Sequence, residues 1–287
     1  MTKTKTRMAL PKGRMQDALF RLLSDAGLDC EAATRSYRLN GLLPDFTTKI
    51  LKPRNIVEML HVGTRDVGFA GSDWVEELGV DLVEVLDLGL DPVRIVAAAP
   101  PAILVDGALP RSGIRVASEY EQLTRNWIED RGLDATVIRS FGATEVFPPE
   151  DADCIVDNIA TGATLRANNL VIVDEVLTST TRLYANPSAM ADDEQRERIE
   201  QLALLLRSVL AARDRVLLEI NVPADSLEAL VATLPCMRQP TVSRLHQEDW
   251  FAVRAAVPRA DLPQLIPAIK ARGGTDVLVS SLKQIVP

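Results

Sequence analysis

Cysteine is scarce and poorly spaced for pairing: Cys30, Cys154 and Cys236 are the only three in 287 residues, and no two of them form a Cys-x-x-Cys pair. An odd, dispersed set argues against a disulfide frame or a zinc site and predicts reduced, buried thiols. Aromatic residues make up only 4%, which leaves little material for the stacking platforms that hold single-stranded nucleic acid. Positive charge is not in excess either. With a net charge of −8 the chain has no basic footprint for nucleic acid, and any anion it holds must be gripped locally. Apolar runs such as Ile95 to Ala99 fall far short of the roughly 18 residues that span a bilayer. The start, MTKTKTRMALPKGRM, carries charge without an apolar core behind it. The expectation is a cytoplasmic protein with no membrane or nucleic-acid partner. The chain also lacks a G-x-G-x-x-G or G-x-x-x-x-G-K-[ST] motif, a heptad run and an internal repeat, which sets aside dinucleotide folds and P-loop chemistry.

What is present is a globular chain, 47% hydrophobic and 25% charged, long enough for two or three domains. Arg7 to Leu10 reads as a strand. After Pro11-Lys12-Gly13-Arg14, the residues Met15, Ala18, Leu19, Leu22, Leu23 and Ala26 recur at helical spacing up to Gly27. The intervening turn aims Lys12 and Arg14 at a helix N-terminus, where N–H groups favour an anion, although the same two residues also suit a solvated loop. Ile56 to His61 reads as a helix, Asp66 to Ala70 as a buried strand, Ser72 as the N-cap of a helix through Leu78, and Asp81 to Leu86 as another strand. Strands alternating with helices predict parallel α/β layers that place ligands at strand carboxyl ends, where Gly68, Gly71 and Ser72 fall. The pattern restarts after Pro100-Pro101, with a strand at Ile114 to Ala117, a helix at Glu119 to Arg131 and a strand at Ala135 to Arg139. A long amphipathic helix follows over Asp192 to Arg213.

From Val216 the order is strand, helix, strand, strand, helix, strand, ending at Asp276 to Ser280. This is the ferredoxin-like arrangement, and it carries only a lone His246 beside Glu248 and Asp249. Binding or assembly suits such a module better than catalysis. The chemistry concentrates instead in DCIVDNIATGATLRANNL, Asp153 to Leu170. There Ile155 and Val156 bring Asp157 to the carboxyl end of a strand. Thr161, Gly162, Ala163 and Thr164 can wrap a phosphate with backbone N–H groups and two hydroxyls before a helix begins at Leu165. An acid a few residues ahead of a phosphate cradle suits the hydroxyls of a ribose 5-phosphate, while an ordinary capped turn uses the same residue types.

The stretch VDNIATGATLRANNL resembles the phosphoribosyl-diphosphate signature of the ATP phosphoribosyltransferase family. RMALPKGRM, DVGFAGSDWVEE, SEYEQLTRNWIEDRG and FGATEVFPPEDADCIVDN follow that family in order. LLEINVP, LPCMRQPTVSRL and DVLVSSLKQIVP are similar to the regulatory domain of its long form. The resemblance implies two periplasmic-binding-protein-like α/β lobes around a cleft, followed by an ACT-like βαββαβ domain. Lobe I would take residues 1–93 and 185–213, lobe II residues 94–184 and the regulatory domain residues 214–287. The implied reaction, the first of histidine biosynthesis, joins N1 of the adenine of ATP to C1 of phosphoribosyl diphosphate and releases pyrophosphate with Mg²⁺ present; no metal ligands are assigned. Lys12, Arg14 and Asp157 would be catalytic, with Gly71, Ser72, Thr161, Gly162, Ala163 and Thr164 completing the substrate site. Histidine would inhibit through Glu219, Asn221, Thr241 and Ser243, and the chain would assemble as dimers and hexamers. Asn55-Ile56-Val57 and Glu150-Asp151 depart from the family pattern. A catalytically inactive two-lobe binding subunit, or a paralogue using another nucleotide, is the alternative.

Overall fold

Residues 5–28, 44–246 and 249–286 are described by the computed structural model, so Cys30, Gln247 and Glu248 lie outside the described residues. The chain divides into two units, one within residues 1–21 and 28–203 and the other within 22–27 and 204–287. Up to Arg213 the elements run β1 (Thr6–Pro11), α1 (Arg14–Asp25), β2 (Phe46–Leu51), α2 (Pro53–His61), β3 (Val67–Gly71), α3 (Ser72–Leu78) and β4 (Val83–Ala99). They continue with β5 (Ser112–Ser118), α4 (Glu121–Arg131), β6 (Asp134–Arg139), β7 (Cys154–Ile159), α5 (Ala163–Ala167), β8 (Val171–Ala185), α6 (Pro187–Ala191) and α7 (Asp193–Arg213).

The helical spacing of α1 is realised as expected: Met15, Leu19, Leu22, Leu23 and Ala26 are buried, and Gly27 turns the chain with a φ of 79° that costs a residue without a Cβ little. All five residues of β3 are buried, as in a strand covered on both faces. The expected short strand at Asp81 to Leu86 is instead the beginning of the 17-residue β4, and β8, which the sequence reading did not anticipate, runs 15 residues against it.

These two strands correct the expectation of purely parallel layers. One eight-stranded sheet has the order β2-β1-β3-β8-β4-β7-β5-β6. β2, β1 and β3 are mutually parallel, as are β7, β5 and β6, but β8 and β4 join the two sets through antiparallel pairs. The register shows why a site forms where the sets meet. Gly71, the last residue of β3, pairs with Thr181 of β8. Ile159, the last residue of β7, pairs with Arg94 of β4, which pairs with Thr178 of β8. The carboxyl ends of the two parallel sets therefore face each other across three residues of one strand, a gap of about 10 Å at the usual rise of a strand. Bulges in the β4–β8 ladder fall at this crossing, between Asp87 and Leu90 and between Leu90 and Val93, with positive φ at Gly89 and Asp91.

The second unit carries β9 (Arg215–Pro223), α8 (Leu227–Val231), β10 (Thr241–Arg244), β11 (Trp250–Pro258), α9 (Leu262–Ala271) and β12 (Thr275–Ser281). Its four strands form an antiparallel sheet in the order β10-β11-β9-β12, the ferredoxin-like arrangement expected from the sequence. Val216, Leu218, Ile220 and Val222 alternate along β9 into a core with Val253, Val257, Leu230, Leu265 and Ile269. The odd-numbered residues of β9 face away from that core.

Candidate active site

The β1–α1 turn, the amino end of α3, the β5–α4 junction and the end of β7 all open at the meeting point of the two strand sets. Three cavities line up there. One of about 380 Å³ is bounded by Arg14, Glu119, Thr144, Glu145, Asp157 and the loop 158–165. A second, of about 240 Å³, is bounded by Lys12, Arg14, Gly71, Asp73, Trp74, Tyr120 and Asn158. The third, of about 470 Å³, takes Lys52, Arg54, Trp74, Glu119, Arg139 and Phe141. Arg14 and Asn158 are common to the first two, Trp74 to the second and third, and Glu119 to the first and third, so the three form one continuous recess.

Asp157 lies in β7, two residues before its end, half-buried on the first cavity's wall. Burial pushes its carboxyl from 3.8 up to about 6. The N–H of Asn158 and the hydroxyl of Thr144 oppose that shift, while Glu119 and Glu145 add repulsion. The loop that follows has the expected form. Gly162 sits at φ 69° immediately before α5, Arg166 Nη1 donates to the Thr161 carbonyl at 3.1 Å, and Thr161, Ala163 and Thr164 are exposed toward the cavity they line. Lys12 and Arg14 flank Gly13, whose φ of 85° makes the turn into α1.

Ser72 departs from its expected place. Gly71, with no side chain to cap with, occupies the N-cap of α3 in an extended conformation, Ser72 is the first helical residue, and Ser179 Oγ of β8 accepts from the Asp73 N–H at 3.1 Å. The Ser72 hydroxyl is buried with no hydrogen-bond partner among the described residues, and it is Asp73, one residue on, that reaches the second cavity. Asp73 accepts from Tyr120 Oη at 2.8 Å and from Ser179 Oγ at 2.7 Å. Tyr120 in turn stacks on Trp74, with ring centroids 4.8 Å apart, and Arg54 lies over the indole at 5.6 Å. Across the third cavity Arg139 covers the ring of Phe141, which is 83% exposed. None of Arg54, Asp73, Trp74, Tyr120, Asn158, Arg139 or Phe141 was singled out from the sequence. The one available signal was the rarity of aromatic residues, which makes three around one recess conspicuous.

Glu77 of α3 is also buried and accepts from the Leu123 N–H at 3.0 Å, so it satisfies the amino end of α4; burial raises its pKa against that bond. Cys154 is buried, with its thiol pushed up to about 12 by desolvation, which makes it the inert thiol the spacing suggested. Among the described residues no three His, Cys, Asp or Glu side chains group as a metal cage. The regulatory candidates do come together. Thr241 pairs with Arg254, which pairs with Glu219, and Ser243 pairs with Ala252, which pairs with Asn221, so all four lie on the sheet face turned away from the core. On that face Glu219 is ion-paired with Arg254, and Asn221 Nδ2 donates to Asp276 at 3.0 Å.

The model of the ATP phosphoribosyltransferase family (HisG) matches residues 52–208, and that of the HisG C-terminal domain matches residues 212–284. The chain belongs to the ATP phosphoribosyltransferase family. A curated ATP phosphoribosyltransferase of Pelotomaculum thermopropionicum is 37% identical over 99% of this chain and 100% of its own length. One from Desulforudis audaxviator shows the same identity and coverage. The ATP phosphoribosyl transferase (HisG:HisZ) complex of Thermotoga maritima contains a chain with a TM-score of 0.64 and 27% identity, covering 72% of this chain and 98% of that one. As an ATP phosphoribosyltransferase the protein is a pentosyltransferase of histidine biosynthesis. Full-length matches of this kind do not favour the alternative of an inactive two-lobe binding subunit. Of the departures from the family pattern, Asn55 is exposed on α2 and bonds Glu58 at 3.0 Å, while Ile56 and Val57 are buried in the packing of that helix. Glu150 and Asp151 are both exposed.

Proposed function

We propose that the recess holds phosphoribosyl diphosphate and ATP side by side, the first in the Asp157 cavity and the second against the aromatic and basic residues of the other two. The observation that carries this reading is the placement of Asp157 directly before the Thr161 to Thr164 loop in a cavity continuous with the Trp74 and Tyr120 stack. Asp157 accepts hydrogen bonds from the ribose hydroxyls, and the backbone N–H groups of residues 161–164 with both threonine hydroxyls take the 5-phosphate. Arg14, shared by two cavities, lies where the diphosphate meets the incoming nucleotide, and Lys12 adds charge beside it. Lys52, Arg54 and Arg139 supply cations for the triphosphate of ATP, with π faces for its base close by.

Adenine N1 attacks C1 of the ribose as the bond to diphosphate breaks, so charge develops on the leaving oxygens and on an oxocarbenium-like ring. N1 already has a lone pair, so no general base is needed, and orientation with charge neutralisation is what the protein contributes. The donor set fits Mg²⁺ that arrives with substrate, because that ion commonly takes one or two carboxylates plus phosphate oxygens and waters instead of a protein cage. Glu119 and Glu145, beside Asp157, are the carboxylates that would hold it, and when bound it neutralises the leaving diphosphate. The lobe boundaries at 93/94 and 184/185 and a regulatory domain from 214 belong to this reading, as does work in the cytoplasm. Replacing Thr161 and Thr164 together with alanine is expected to raise KM for phosphoribosyl diphosphate while KM for ATP stays nearly unchanged. Equal rises in steady-state assays would place the loop elsewhere.

The second unit we read as the histidine-binding regulatory domain, acting in dimers and hexamers. Its outward sheet face presents both signs of charge, Glu219 and Arg254, with the hydroxyls of Thr241 and Ser243, which suits a zwitterionic amino acid. Inhibition from there requires that histidine bind active and inactive states unequally. Titrating full-length protein with histidine should give calorimetric heat and a falling rate, both weakened in Glu219→Ala. No heat and an unchanged rate at millimolar histidine would leave this unit an assembly element.

A further inference from the structure

Asn158 is exposed in the recess and belongs to both of the first two cavities, yet neither the ribose nor the nucleotide assignment uses it. Its backbone N–H donates to Asp157 Oδ1 at 2.7 Å, and its side-chain Nδ2 lies 3.3 Å from the same oxygen and 3.2 Å from Tyr120 Oη. The direction of each bond follows from what each group can do. The Tyr120 hydroxyl donates to Asp73 at 2.8 Å, and that leaves the hydroxyl oxygen free to accept. Only the NH₂ end of Asn158 can serve that lone pair. The amide is thereby locked in one of its two flips, and its second hydrogen points at Asp157. Asp73 is itself held: Ser179 Oγ donates to its other oxygen at 2.7 Å and accepts from its backbone N–H at 3.1 Å. Tyr120, 1% exposed, cannot turn away.

We propose that Asn158 is a positioning residue for Asp157, the last link of a hydrogen-bonded chain Ser179–Asp73–Tyr120–Asn158 that carries orientation from β8 and α3 to the ribose-binding carboxylate at the end of β7. The proposal rests on the ribose assignment of Asp157. The chain brings both the backbone N–H and the side-chain amide of Asn158 onto one oxygen of Asp157, Oδ1, and so restricts how the carboxylate can rotate.

The test is calorimetric titration of the full-length protein with phosphoribosyl diphosphate and Mg²⁺, together with kcat and the KM for each substrate. Asn158→Ala is expected to weaken phosphoribosyl diphosphate binding about tenfold, the loss of a bond to a charged group, to raise KM for that substrate, and to leave KM for ATP unchanged. Tyr120→Phe should act in the same direction, and adding it to Asn158→Ala should cost nothing more, because both break one chain. Should Tyr120→Phe fail to fold, Asn158→Ala alone decides, since its side chain is exposed. Wild-type binding in Asn158→Ala alongside weakened binding in Asp157→Asn would overturn the positioning role alone. Wild-type binding in Asp157→Asn would remove the ribose assignment and the proposal with it.

Discussion

Asp157→Asn should lower kcat/KM for phosphoribosyl diphosphate by about 10- to 100-fold, the worth of a hydrogen bond to a charged group, and at the same time make the protein more stable. The carboxyl rises from 3.8 to about 6 on folding, chiefly because burial strips water from its charged form. For an acid whose folded pKa is raised, the folded state binds more protons than the unfolded one between the two values. Ionisation is then a cost that is complete above about pH 6, shrinks as the pH falls toward 3.8 and is gone below it. At pH 8 that cost is on the order of 2–3 kcal/mol. Asparagine never carries the charge and keeps an oxygen to accept the Asn158 N–H, so most of this returns as stability. Unfolding in urea at pH 8 and again at pH 5 tests it: the variant's advantage should be clear at the first and reduced at the second. A variant less stable than wild type at pH 8 would mean that burial of the charge is not what raises this carboxyl. A site acid held at a cost in stability is what selection for function leaves behind.

Gly71→Ala should be strongly destabilising although the backbone there is ordinary, with φ −74°. The obstacle is space. A Cβ on Gly71 would stand 2.0 Å from Asp73 Oδ1 and 3.1 Å from Ser179 Oγ. Relief requires Asp73 to rotate, which breaks its bonds to Tyr120 and Ser179 and leaves a buried carboxylate without partners, at a cost of about 3–5 kcal/mol. Gly79→Ala is the informative control. Gly79 has φ 56° and nothing within 4 Å of an added Cβ, so only backbone strain, about 1 kcal/mol, should be felt. Thermal melts of the two variants that fell by the same amount would show that the Asp73 contact carries no special weight.

The sequence disclosed what is local and concealed what depends on partners far along the chain. The strand carrying Asp157 near its end and the Gly162 turn were legible because acid, threonines and glycine sit within eight residues. The alternation of β9 was legible because one of its faces is buried throughout. The expected strand stops at Leu86, short of Gly89 and Asp91-Pro92, residue types that favour turns, whereas the long pairing with β8 absorbs them as bulges. β8 escaped notice because its hydrophobic pattern changes along its length: its first half is exposed or half-buried and its end, Leu183 to Ala185, is fully buried, so no single period runs through it. Ser72 was read as a cap because serine favours that role, but Gly71 already holds the extended cap conformation. The Arg54, Trp74 and Tyr120 column joins α2, α3 and the start of α4, elements that no spacing rule relates.

The crossing of β4 and β8 also governs how the first unit comes apart. Each of these strands begins among the partners of one parallel set and ends among those of the other, so the core beside each set, though the set is one stretch of chain, is closed by the end of a crossing strand: Tyr184 of β8 for the first and Ile95 and Ala97 of β4 for the second. Losing β3 exposes the end of β8 whose beginning covers β4 beside β7, and fraying on one side therefore unzips the ladder that shelters the other. Two halves that look separable in a strand diagram are therefore expected to melt together, as one calorimetric transition and not two.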